Sequence, residues 1–224
     1  MSDIPFEFLS NFIAMVIPLF FVVFMLGKSD ARKIILYFCW GIFAGVLAFN
    51  INNLLGGSVS QAERMTIAIA PMVEEICKGL PVLLFLNRKK YPRITLLIVF
   101  CAMTSGVGFS IQESMYYFTA SSREVMDIAL LIVRTLTTAL MHGMVTAAFG
   151  IGLMLLQKQR SMLVPVILGL FALCATIHAL FNLLMYTWLA WVSMLMPIVM
   201  FFAGWVFIRN TEYSENQINL GENE

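Results

Sequence analysis

The chain is 224 residues long, 60% hydrophobic and only 12% charged, with a mean hydropathy of +0.87. That balance excludes an ordinary soluble domain. The surrounding medium is expected to be a lipid bilayer, in an integral, multi-pass membrane protein, and no nucleic-acid partner is expected.

A membrane crossing takes about 20 mostly apolar residues. Read with that length, the chain predicts helices near 6 to 26, 34 to 55, 66 to 86, 94 to 119, 127 to 156, 163 to 186 and 189 to 208. The expected fold class is therefore all-α, a polytopic transmembrane helical bundle of about seven helices. The first stretch lacks a basic leader and a small-residue cleavage site, so it reads as a retained helix. Lys28, Arg32 and Lys33, then Arg88, Lys89, Lys90 and Arg93, then Lys158 and Arg160, and finally Arg209 fall in alternate connections. By the positive-inside rule these are cytoplasmic, which places the N-terminus outside and the C-terminus inside. Tyr186, Trp188 and Trp191 suit an interfacial aromatic belt.

Cys39, Cys77, Cys101 and Cys174 fall within predicted spans without CxxC spacing, so they read as buried small hydrophobes rather than a disulfide framework. No internal repeat is evident. One membrane domain, residues 1 to 209, is expected. The polar stretch 210 to 224, "NTEYSENQINLGENE", has the composition of a disordered cytoplasmic tail.

The informative residues are those that lipid does not tolerate. A charge at the centre of a membrane helix costs about 2.5 to 3.5 kcal/mol on insertion scales, so such side chains face a protein interior or a cavity. In "APMVEEICKGL", residues 70 to 80, Glu74 and Lys78 are spaced i, i+4 and predict a pair, with Glu75 about 100° away around the helix. An ion pair for packing accounts for Glu74 and Lys78 but leaves Glu75 unexplained. Two adjacent carboxylates in a low dielectric resist ionising together, which is one way to obtain a general acid or base.

In the next span, "GVGFSIQESMYYF" sets Glu113 beyond Gly106, Gly108 and Ser110, a surface for close helix approach. "RTLTTALMHGMVTAAFG" then repeats Arg134, Thr138, His142, Thr146 and Gly150 at four-residue steps, a polar stripe that must be buried. "IHALFNLL" spaces His178 and Asn182 so that the amide can orient the imidazole. Taken singly, each of these polar groups reads as a packing residue at least as readily. Counted at ~1.5 Å per residue, Glu74, Glu113 and His178 lie roughly 9 to 12 Å below the outer surface, with His142 at a similar level. Both histidines and three glutamates thus meet in one layer from four helices, which predicts a single polar cavity.

Glu74, Glu75 and Lys78, then Gly108, Phe109 and Glu113, then His142, then His178 and Asn182 resemble, in order and on separate helices, the marks of the PrsW-type intramembrane proteases. That family is related to the CAAX prenyl endopeptidases and bacteriocin-processing proteases. The resemblance spans about residues 66 to 186. It departs at Ser114, where the family often has Asn. It implies peptide-bond cleavage of a membrane-anchored protein substrate, such as an anti-sigma factor, at the outer face of a bacterial cell membrane. The implied catalytic set is Glu74, Glu75, Lys78, Glu113, His142, His178 and Asn182.

Two schemes stay open. In one, His142, His178 and one glutamate, Glu75, hold Zn²⁺, with a water completing the set. In the other no metal takes part, and the histidines donate to the oxyanion. In both, Glu74, or else Glu75, deprotonates water. Lys78 keeps a carboxylate ionised, Asn182 orients His178, and Glu113 fixes His142 or joins the ligands. The alternative class is non-catalytic: a scaffold binding transmembrane peptides, like the structurally related scaffold subunit of γ-secretase, or a proton or metal-ion carrier. The missing repeats speak against a carrier.

Overall fold

The computed structural model describes residues 31–56, 65–87, 96–120, 128–156 and 162–221, together with Pro18 and Met25. Apart from those two residues, the expected span 6 to 26 lies outside the described residues. So do most of the loop charges on which the sidedness rests.

Six α-helices and no strand occur among the described residues: α1 (Ala31–Gly56), α2 (Ala70–Gly79), α3 (Leu96–Ala120), α4 (Ile128–Leu156), α5 (Leu163–Met185) and α6 (Ala190–Gly221). Five of them, all but α2, are long and apolar enough to cross a membrane. The expected span 66 to 86 is not one uniform helix. A π-helical turn, Met65–Ile69, leads into α2, and a 3₁₀ segment, Leu80–Asn87, follows it.

Pro81 explains the change of pitch. It has no N–H, so the Cys77 carbonyl loses its i+4 donor, and in a 3₁₀ pattern the Lys78 carbonyl loses its i+3 donor. Neighbouring helices supply both. Trp40 Nε1 donates to Cys77 O at 3.0 Å and Ser105 Oγ to Lys78 O at 2.9 Å. The break therefore ties α2 to α1 and α3 directly beneath its charged residues.

α3 and α4 are the inner helices, 72% and 67% buried over their spans, whereas α5 and α6 are 17% and 11% buried. Exposed Leu168, Leu173, Leu180, Val199, Phe202 and Trp205 on the outer pair are the apolar surface a bilayer solvates. α3 packs between α1 and α4, and α2 sits between α1 and α5. Gly106 and Gly108 are two residues apart and so face different partners. A Cβ on Gly106 would run into the His142 carbonyl of α4, and one on Gly108 into the Phe38 carbonyl of α1. The expected single small-residue surface is thus two contacts on opposite sides of α3.

The main core joins Ile34, Val82, Cys101, Met141, Val145, Phe149, Cys174 and Phe181. All four cysteines are free. Three are buried, but Cys39 lies exposed on the outer face of α1, contrary to the expectation for it. Tyr186, Trp188 and Trp191 are exposed around the α5–α6 turn, as a belt requires. The backbone of α6 continues to Gly221, through most of the stretch whose composition suggested a disordered tail. Extending a formed helix needs no new nucleus, which lets a polar sequence follow an apolar one.

Candidate active site

α2, α3, α4 and α5 bring Glu74, Glu75, Lys78, Glu113, His142 and His178 into one cluster. Glu75, Lys78, His142 and His178 are at most 3% exposed.

Lys78 Nζ lies 2.5 Å from Glu75 Oε1, an i, i+3 pair, rather than pairing with Glu74 as the spacing suggested. It also reaches His142 Nδ1 at 2.8 Å and stands 4.6 Å from the centre of the Phe109 ring. An ammonium only donates, so His142 Nδ1 accepts and its Nε2–H faces Glu113 Oε2, to which it is hydrogen-bonded. Thr146 Oγ1 donates to the His142 carbonyl at 2.8 Å. The ring is therefore held from α2 and α3.

His178 Nδ1 meets Glu75 Oε1 at 2.9 Å. A carboxylate accepts, so Nδ1 carries the hydrogen, and in the neutral ring Nε2 is left as a bare acceptor. That nitrogen points at Glu74 Oε2, 3.7 Å away. The orienting role expected of Asn182 thus belongs to Glu75. Asn182 lies one turn further along α5, in a cavity of about 170 Å³ that Glu113, Arg134, Thr138, Phe181, Met185 and Tyr186 also line.

Among the described residues, three buried side-chain polar atoms have no hydrogen-bond partner: Glu74 Oε2, His178 Nε2 and Asn52 Oδ1. All belong to this cluster, since Asn52 Nδ2 of α1 approaches Glu74 Oε1 at 3.5 Å. Sequence reasoning passed over Asn52. Its only signal was an amide inside an apolar span.

Two buried acceptors 3.7 Å apart leave a place that a proton, a water molecule or a metal ion would satisfy. Glu74, Glu113, His142 and His178 each offer one ligand atom, all within 4.8 Å of one another. The donors around a tetrahedral zinc lie roughly 3.4 Å apart, given metal–nitrogen distances near 2.0 to 2.1 Å. The 3.7 Å between Glu74 and His178 is close to that. His178 donates its other ring N–H to a carboxylate, the usual support for a metal-ligating histidine. To ligate through Nε2, His142 takes its other neutral tautomer, with the hydrogen on Nδ1 instead of Nε2, and the Lys78 ammonium then turns away from that nitrogen. The residues fit a divalent transition metal. The candidate donors differ from the expected set: Glu75, tied to Lys78 and His178, is not among them, Glu113 is, and Glu74 faces the same space as a fourth donor, a carboxylate free to serve as ligand or base.

A multi-pass membrane protein with a buried glutamate and histidine cluster of this composition belongs to the class that can perform metal-assisted hydrolysis inside a bilayer. The model of the PrsW family intramembrane metalloprotease matches residues 30–208. The chain belongs to that family, and the protein is an intramembrane peptide hydrolase that acts on membrane-embedded substrates. No curated protein and no solved structure matches it.

Proposed function

We propose that this cluster hydrolyses a peptide bond of a membrane-anchored regulatory protein, such as an anti-sigma factor, near the outer face of a bacterial cell membrane. The observation that carries the reading is the pair of buried, unpartnered acceptors, Glu74 Oε2 and His178 Nε2. The charge asymmetry of the loops supports the sidedness.

His142, His178 and Glu113 would hold the metal ion, Zn²⁺ by its ligand types, leaving Glu74 as the base. When bound, the ion supplies Lewis acidity toward water and the scissile carbonyl. The chain's own residues do the rest. Glu74 accepts a proton from water as the water oxygen attacks the carbonyl carbon. It then returns that proton to the amide nitrogen as the C–N bond breaks. Glu75 holds His178 in the tautomer with Nε2 free. Lys78 neutralises Glu75. Asn182, Arg134 and Thr138 line the space next to Glu113 that residues flanking the scissile bond would enter.

The test is cleavage of a transmembrane substrate peptide by purified protein in liposomes, with and without a chelator. Cleavage should stop on chelation and return with added zinc. No product under any metal condition, from protein verified as folded, would refute the reading in favour of a peptide-binding scaffold or an ion carrier.

A further inference from the structure

α1 contributes none of the charged residues of the site, yet it carries the third unpartnered atom. Asn52 lies near one end of α1 in the run "FNINN". Its neighbour Asn50 behaves as an amide in an apolar helix ordinarily does, donating to the Val46 carbonyl one turn back at 2.8 Å. Asn52 has the equivalent carbonyl of Ala48 behind it. Instead it aims its amide at Glu74, where Nδ2 is 3.5 Å from Oε1, at the long limit of a hydrogen bond, and Oδ1 is buried with no partner. Burying a carbonyl oxygen unsatisfied costs free energy that a back-bond would avoid. A packing role explains neither the direction of the amide nor the orphaned oxygen.

Two of the three orphaned atoms, Glu74 Oε2 and His178 Nε2, are accounted for by a cation and a base. The third is an acceptor beside that base, placed to take a hydrogen bond from a water molecule held there. We infer that Asn52 is a further catalytic residue of the hydrolysis, its Oδ1 accepting one hydrogen of the attacking water while Glu74 accepts the other.

With both hydrogens engaged, the free lone pair of the water is directed away from the two acceptors, toward the substrate carbonyl. As the C–O bond forms, the O–H bond facing Glu74 breaks and its proton passes to the carboxylate. The second O–H stays intact on Asn52 and becomes the hydroxyl of the new carboxylic acid. The proton on Glu74 leaves with the amine nitrogen when the C–N bond breaks.

This inference rests on the proteolytic reading, so the test is run on the full chain in liposomes beside wild type and Glu74→Gln. Asn52→Leu removes the acceptor while keeping the branching and the number of side-chain heavy atoms. It is expected to lower kcat roughly 100-fold, the scale of one lost polar contact to the reacting atoms. KM should stay within about two-fold, with zinc content unchanged and a thermal midpoint no lower than wild type. Asn52→Gln keeps an acceptor oxygen without adding a charge beside Glu74 and should retain about ten-fold more kcat than the leucine variant. Wild-type kcat in Asn52→Leu overturns the inference. So does an equal loss in both variants, or a loss that tracks zinc content or thermal midpoint. If the leucine variant does not fold, the glutamine variant decides alone: kcat above about a tenth of wild type supports the role, and less overturns it. An inactive wild type or an active Glu74→Gln sinks the proteolytic reading and this one together. An active wild type, a dead Glu74→Gln and a fully active Asn52→Leu sink this one only.

Discussion

The two sides of the cluster are built differently although adjacent glutamates anchor them. Around Glu75 the carboxylate is engaged twice through Oε1, by Lys78 at 2.5 Å and His178 Nδ1 at 2.9 Å, and Lys78 reaches on to the ring of His142. Around Glu74, the atoms that face inward have none. One residue along a helix turns a side chain by about 100°, enough here to move it from the space between α2, α4 and α5 to the side facing α1. The difference separates holding from reacting. Satisfied networks rigidify, whereas buried groups left unpaired are retained where chemistry uses them.

That contrast is broken most severely at Glu74. Glu74→Gln should lower kcat by about 10²- to 10⁴-fold, the range of a positioned general base, with the thermal midpoint and the expression level of wild type. Peptide cleavage measured beside a melting curve checks it. Full activity would move the base elsewhere.

On the satisfied side the order of effects reverses. Lys78→Met leaves Glu75 as an uncompensated buried charge, which typically costs about 3 to 5 kcal/mol. The expected result is a large loss of folded protein in a detergent melt, before any kinetics are read. Unchanged stability would show that the pair contributes nothing to the fold.

The smallest effect sharpens the comparison. In Glu75→Gln with Lys78→Met, charge is removed from both partners and stability should largely return, as it often does when a whole buried pair is replaced. His178 then has no ionised acceptor at Nδ1, and zinc should bind about 10- to 100-fold more weakly, the usual cost of losing such support. Zinc titration against a competing chelator reads this. Wild-type zinc affinity in the double variant would end the claim that Glu75 orients His178.

Composition and span length alone identified an all-helical membrane protein. The out-of-place charges pointed to the residues the fold gathers, because a carboxylate or imidazole deep in an apolar helix has few alternatives to an interior site. What stayed hidden was the pairing. Along a helix both i+3 and i+4 neighbours are in reach, so the sequence could not tell whether Lys78 takes Glu74 or Glu75. The placement of His142 beside α2 decided it. Nor could the i, i+4 spacing of His178 and Asn182 reveal that Glu75, 103 residues earlier in the chain, holds the imidazole. The switch from α to 3₁₀ at Pro81 was readable as a lost donor. That Trp40 and Ser105 replace it was not. Asn52 is the extreme case, an amide whose meaning comes wholly from the carboxylate that helix packing sets beside it. Periodicity specifies which face of a helix is polar, but only the crossing of helices specifies which polar atoms meet.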